Sequence, residues 1–269
     1  MTTAAAATLP LRPARRVATG RVLPRLLAGS VILALWEVVA RLFAPDFIAK
    51  PTGIVAAMPR VLTSPAFLDA AWVTVAATAE GLAAAIVLGT AIGLLMGRSI
   101  LADRGLRLWI NSFNAMPMIV VLPLMSLWLG YTGAARFATI IFAAIFAVII
   151  NAAEGAQSVP REYLEVAGSY RAPPLRVLFE IVVPASTPYL LAGLRLAGGR
   201  ALIGAVVAEF FTAIPGLGYF ILFNSRTYHQ NEAFIAVLLL AGFGVGFDLL
   251  VDWATRRYLP WYRRDEATS

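Results

Sequence analysis

Seven ionisable residues lie inside long apolar stretches of the chain: Glu37, Glu80, Arg195, Arg200, Glu209, Asp248 and Asp252. Charge in such surroundings is costly to hold, so each group needs a counter-charge, a wet cavity or a functional task. Glu209 and Arg200 are too far apart to pair along one helix. Arg195 and Arg200 stand near one end of their stretch, where long side chains can reach an interface. Pairing across helices is expected for most of these groups, and Arg195, Arg200 and Glu209 are the candidates for a path taken by an anionic solute. Other reacting groups are scarce. There is no cysteine and one histidine, His229, which excludes disulfides and thiolate chemistry and leaves no catalytic, metal or cofactor site to expect. His229 reads as a surface polar residue. The only lysine is Lys50, and no Gly-x-x-x-x-Gly-Lys-Ser/Thr loop is present, so the sequence offers no phosphate-binding loop of that type.

The elements around these charges set the solvent. Of the 269 residues 60% are apolar and 14% charged, with mean hydropathy +0.78, well off the composition of soluble domains. Six segments, 25–44, 70–96, 108–130, 133–152, 186–213 and 233–254, approach the ~20 residues that cross a bilayer core as helix. Their long Ala/Leu/Ile/Gly-rich runs lack the alternation of barrel strands. The expectation is an all-α polytopic membrane protein, with a tail at 1–24, a six-helix domain at 25–254 and a tail at 255–269. The net charge of +7 gathers in short clusters between spans: Arg12, Arg15, Arg16, Arg21 and Arg25 before the first, and Arg256, Arg257, Arg263 and Arg264 after the last. That pattern fits topology rather than nucleic acid. With the six arginines of the loops 97–107 and 153–185, these tails hold 15 of the 22 basic residues, so the positive-inside rule puts both termini in the cytoplasm. The Arg15-Arg16 pair superficially resembles a twin-arginine signal, but no small-residue cleavage site follows.

Within the spans, Gly81, Ala85, Gly89 and Gly93 form a smooth stripe for close helix packing. Pro117 and Pro123 predict a kink in the third span. Outside, a short interfacial helix is expected over 52–62, and Gly216-Leu217-Gly218-Tyr219 reads as a tight turn.

The loop 153–185 is too polar to span and too patterned for a linker. Ser158 can cap a helix, Pro160 suits its first turn and Glu162 complements its dipole. Tyr163, Val166, Ala167 and Tyr170 then share one face. Pro173 and Pro174 break that helix and start another, in which Leu175, Leu178, Phe179 and Val182 share a face and Pro184 is the expected stop. Such a pair of helices can lie on the membrane interface or insert into a partner's groove, and the pattern alone does not choose.

Glu165-Val166-Ala167 followed by Ile181-Val182-Val183-Pro184 resembles the signature loop of ABC importer permeases: Glu-Ala-Ala, three residues, Gly, nine residues, Ile, one residue, Leu-Pro. Here Arg171 stands at the position of the glycine and Val183 at that of the leucine, with Gly168 and Pro173 as local alternatives for the turn. The resemblance runs over most of 70–262 and is nearest the nitrate/sulfonate/taurine branch. Supporting it are Met116-Pro117 with Leu122-Pro123, Leu127-Trp128-Leu129-Gly130, Pro184-Ala185-Ser186-Thr187-Pro188-Tyr189, Ala192-Gly193-Leu194-Arg195, and Val207-Ala208-Glu209-Phe210 before Gly216-Leu217-Gly218-Tyr219.

The resemblance implies six transmembrane helices of the type I ABC importer permease (MetI-like) fold in a bacterial inner membrane, surrounded by lipid. It implies a homodimer, a cytosolic ABC ATPase dimer and an extracytoplasmic solute-binding protein as partners. It makes the loop a coupling element in which Glu165, Val166, Ala167, Gly168, Tyr170, Arg171, Leu175, Ile181 and Pro184 meet the ATPase, Glu165 foremost. The implied function is ATP-driven import of a small anion such as a sulfonate, taurine or nitrate, with ATP hydrolysed elsewhere. The alternative is an ion-coupled secondary transporter, which would leave the patterned loop unexplained.

Overall fold

The computed structural model describes residues 22–43, 45 and 48–258. Most of the two expected tails, with Arg12, Arg15, Arg16, Arg21, Arg263 and Arg264, lies outside the described residues. The described chain is helical: α1 (Val22–Phe43), α2 (Pro51–Leu62), α3 (Pro65–Arg98), α4 (Ile100–Ala115), α5 (Met118–Leu129), α6 (Gly133–Gln157), α7 (Arg161–Ser169), α8 (Pro174–Val177), α9 (Val183–Thr212), α10 (Leu217–Arg226) and α11 (Gln230–Tyr258).

The centre is a three-helix stack in which α6 packs along both α3 and α9. Small residues allow it. The expected glycine stripe of α3 faces α6, and at Gly93 an added Cβ would stand 2.6 Å from both the Ala152 Cβ and the Ile149 carbonyl oxygen. On α9, Ala197, Ala201, Ala205 and Ala208 are fully buried, so the backbones approach closely where no large side chain separates them.

Among the described residues, four helical stretches are long and apolar enough to cross a membrane: α3, α6, the rod Pro174–Thr212 and α11. A fifth arises if α4 and α5 together form one span, but these two helices meet at 101°. The third expected span is therefore no straight crossing. Pro117 sits at the break, in extended backbone before α5, where a proline ends one helix and starts the next. Pro123 lies within α5. With 12 residues, α5 is roughly 18 Å long, short of a bilayer core. The first expected span corresponds to α1, which packs on α2. The interfacial helix appears as α2, its first turn tied to α1 because Thr52 N and Thr52 Oγ1 donate to the Glu37 carboxylate at 3.0 and 2.8 Å.

The expected stop at Pro184 does not occur. The chain widens into one π-type turn over Leu178–Val182, and Val183 N–H donates to the Leu178 carbonyl, before α9 continues. A proline cannot donate to the carbonyl four residues back and its ring displaces that group, and the wider turn absorbs both effects. The result is a 39-residue rod, Pro174–Thr212.

Candidate functional site

The loop between α6 and α9 folds as the two expected helices, with its inner face in a different register. The buried cluster at this end comprises Leu94, Ala156, Val159 and Val182, with Leu164, Val177, Leu178, Ile181 and Val183 packed on it. Of the face expected on α7, only Ala167 turns inward. Leu164, absent from that face, packs on the cluster, while Tyr163, Val166 and Tyr170 are exposed, Tyr170 to 84%. In the second helix Leu178 and Val182 pack inward, whereas Leu175 and Phe179 stay exposed. Ser158 is also reassigned: it ends α6, its Oγ donating to the Gly155 carbonyl at 2.8 Å. Pro160 precedes α7 without a side-chain cap, and Glu162 lies in the first turn as expected.

Arg171 explains the turn. Ala172 N donates to the Ala167 carbonyl at 3.0 Å and Arg171 N to the Gly168 carbonyl at 2.9 Å, a Schellman closure of α7. Arg171 itself has φ 52°, the left-handed conformation that glycine adopts without Cβ strain. The backbone thus keeps a glycine geometry where the sequence places arginine, and Gly168 remains inside α7.

Two grooves flank the loop. One, about 600 Å³, is lined by Tyr163, Val166, Ala167, Arg176, Glu180 and Pro184 among others. The other, about 940 Å³, lies between α3 and the loop, with Leu94, Leu95, Arg98, Leu164, Leu175 and Phe179 in its wall. Glu165 is exposed beside Val166, and Arg176 pairs with Glu180 at 3.4 Å. The loop therefore presents an apolar surface with charges around it on a base fixed to the helix bundle.

The three expected path residues lie in three separate places. Glu209, 0% exposed, lies at the opposite end of the bundle. Its carboxylate accepts from Thr74 Oγ1 at 2.9 and 3.0 Å and from Gly218 N at 2.8 Å, with Arg136 Nη1 at 3.5 Å. Thr74 Oγ1 in turn accepts from Leu217 N at 2.8 Å. The carboxylate thus binds the turn before α10 to α3 and α6. Gly216 and Gly218 make room for it, since a Cβ on Gly218 would stand 2.6 Å from the Val206 carbonyl and 2.9 Å from the Glu209 Cβ. Arg195 pairs with Asp252 and, at 3.5 Å, with Asp248 on α11. Arg200 donates to Asn114 Oδ1 at 2.6 Å at the α4–α5 break. The three residues expected along a path are not brought together. Glu80 is exposed on α3, and His229 is exposed with Nδ1 3.1 Å from Thr227 Oγ1. Among the described residues no group of His, Asp or Glu could hold a metal ion.

Residues 85–264, which include the loop, match the family model of the binding-protein-dependent transport system inner membrane component. The chain belongs to this family. The permease is 27% identical over 235 residues to a formylaminopyrimidine transport permease of Halalkalibacterium halodurans, covering 87% of this chain and 94% of that one. It is 27% identical over 251 residues to a nitrate import permease of Synechococcus elongatus, covering 88% and 90%. Among solved structures, inward-facing conformations of the MetNI methionine ABC transporter match with TM-score 0.63 at 18% identity, covering 74% of this chain and 97% of that one. The type I importer permease fold expected from the sequence is thus borne out, and the permease is an integral membrane transport component rather than an enzyme.

Sequence reasoning missed Thr74 and Arg136, the partners of Glu209 in the permease, and Asn114, the partner of Arg200. Thr74 is 135 positions from Glu209 and Arg136 is 73, so no local periodicity links them. The available signal was the pair Gly216 and Gly218 after a carboxylate in an apolar span.

Proposed function

We propose that the permease works as a homodimer in a bacterial inner membrane, with both termini cytoplasmic, importing a small anion delivered by an extracytoplasmic binding protein. A separate cytosolic ATPase dimer supplies the energy. The observation that carries the reading is the loop at Arg161–Val182, whose back is buried against α3 and α6 while Tyr163, Val166 and Tyr170 stay exposed beside Glu165. Uncovered apolar groups on a fixed base, ringed by charge, suit insertion into a partner's cleft. Closure of the ATPase pair would carry this knob with it. α7 is held through Leu164 to the cluster that includes Val182 of the rod Pro174–Thr212, so a displacement of the knob is passed into the membrane. ATP binding then favours the outward-open state, and its hydrolysis the inward-open one. Among the loop residues, Glu165, Val166, Tyr170 and Arg171 form the contact, while Ala167 and Ile181 hold the base.

The test is co-purification with the ATPase subunit co-expressed beside it. Glu165→Arg is expected to lower ATPase recovery and solute uptake by about tenfold, the equivalent of ~1.4 kcal/mol at the contact, with the melting temperature of the isolated permease unchanged. Full recovery of the ATPase and full uptake in that variant would reject the coupling assignment.

A further inference from the structure

The three arginines that stand within or against the helix stack differ in what neutralises them. Arg136 faces the Glu209 carboxylate and Arg195 faces Asp248 and Asp252. Arg200 has no ion pair among the described residues, its guanidinium meeting the neutral Asn114. A guanidinium carries five N–H donors, and one carboxamide oxygen satisfies few of them. Arg200 stands roughly 25 Å along α9 from Val183 at about 1.5 Å per residue, too far from the loop end to reach the interface there as the sequence suggested. Beside it is a cavity of about 190 Å³ walled by Phe113, Met116, Met118, Phe142, Phe146 and Ile203. Three of the rings support one another, Phe113 stacking on Phe146 at 6.1 Å and Phe142 meeting Phe146 edge-on at 5.1 Å. The cavity exists because α4 and α5 break beside it at 101°. Arg200 is exposed in the single subunit, and a cation without an ion pair that opens onto an apolar-walled groove at membrane depth marks a wet path or an anion contact.

We propose that Arg200 and Asn114 form the mid-membrane contact for the oxyanion head of the transported solute, nitrate- or sulfonate-like, with the aromatic wall receiving whatever the head is attached to. This inference rests on the importer reading above. The fork of donors on Arg200 matches two oxygens of one oxyanion, and the Asn114 amide N–H₂ supplies a further donor. Arg195 and Glu209 take no part, because each is already matched by charge inside the subunit.

The absence of cysteine makes a direct test clean. Ile203→Cys places one thiol in the groove wall of each permease copy, in a complex assembled with cysteine-free partner subunits, and its modification rate is read with anionic sulfonatoethyl and cationic trimethylammonioethyl methanethiosulfonates. The anionic reagent is expected to react about tenfold faster, corresponding to ~1.4 kcal/mol. Sodium nitrate or sodium methanesulfonate should slow that reaction relative to sodium chloride at equal ionic strength. Adding Arg200→Gln should abolish both effects and adding Arg195→Gln neither. Where the Gln double variant fails to assemble, Arg200→Lys serves: the preference for the anionic reagent persists and the protection by oxyanions weakens. A thiol that ignores reagent charge, or is never protected, overturns the site. ATPase recovery is read on the same preparations. An intact complex with an unprotected thiol rejects this site alone, whereas a protected thiol with no bound ATPase rejects the importer reading alone.

Discussion

The two ends of the bundle treat charge in opposite ways. At the Glu209 end, a carboxylate is fully buried and its hydrogen-bond partners, Thr74, Gly218 and Arg136, all come from the same subunit. At the loop end, large apolar side chains such as Tyr163, Val166, Tyr170, Leu175 and Phe179 are left uncovered, while Glu165 stays in solvent. The Glu209 carboxylate is satisfied within a single copy, while Trp72, Phe137 and Phe211 around it are exposed. The loop end has a completed base and an unfinished outer surface, as a part moved by a partner requires. Internal satisfaction marks a structural joint, and its absence marks a docking surface.

This contrast can be broken most strongly at Glu209. Glu209→Ala leaves Arg136 uncompensated and Thr74 and Gly218 N–H without their acceptor, and is expected to destabilise the permease by about 3–5 kcal/mol, read as a fall in detergent melting temperature and poor membrane accumulation. A variant that melts like the wild type would show the joint to be dispensable. Gly218→Ala probes the same joint without removing charge. Its Cβ meets the Val206 backbone oxygen, which cannot move aside without shifting α9, so a loss of about 1–3 kcal/mol is expected. The smallest effect belongs to the loop. Arg171→Gly relieves a left-handed arginine and should raise stability by about 1 kcal/mol, with ATPase recovery within about twofold of wild type because the Schellman backbone persists. A destabilised R171G would mean that the Arg171 side chain, rather than its backbone, holds the loop.

Much of this was legible in the residues because it is local. Helix periodicity, proline positions and the spacing from Glu165 to Pro184 gave the all-helical membrane fold and the two loop helices, since each depends on neighbours within a few turns. The identity of the inward face of α7 was not. Both Leu164 and Val166 are apolar, and which of them packs depends on where Leu94, Ala156 and Val182 arrive from distant parts of the chain. Pro184 misled for the same reason, because a helix under tertiary constraint can widen by one residue rather than end.

Composition and spacing alone determined that the chain lives in a bilayer as helices, has no Gly-x-x-x-x-Gly-Lys-Ser/Thr sequence and carries a patterned loop between its fourth and fifth apolar segments. The tertiary structure decided how each intramembrane charge is matched. Glu209 closes a joint, Arg195 pairs with α11, and Arg200 is left facing a cavity at the α4–α5 break. The physical reason is range: hydrophobic periodicity is written within one helix, whereas an ion pair depends on which helices pack side by side and at what height.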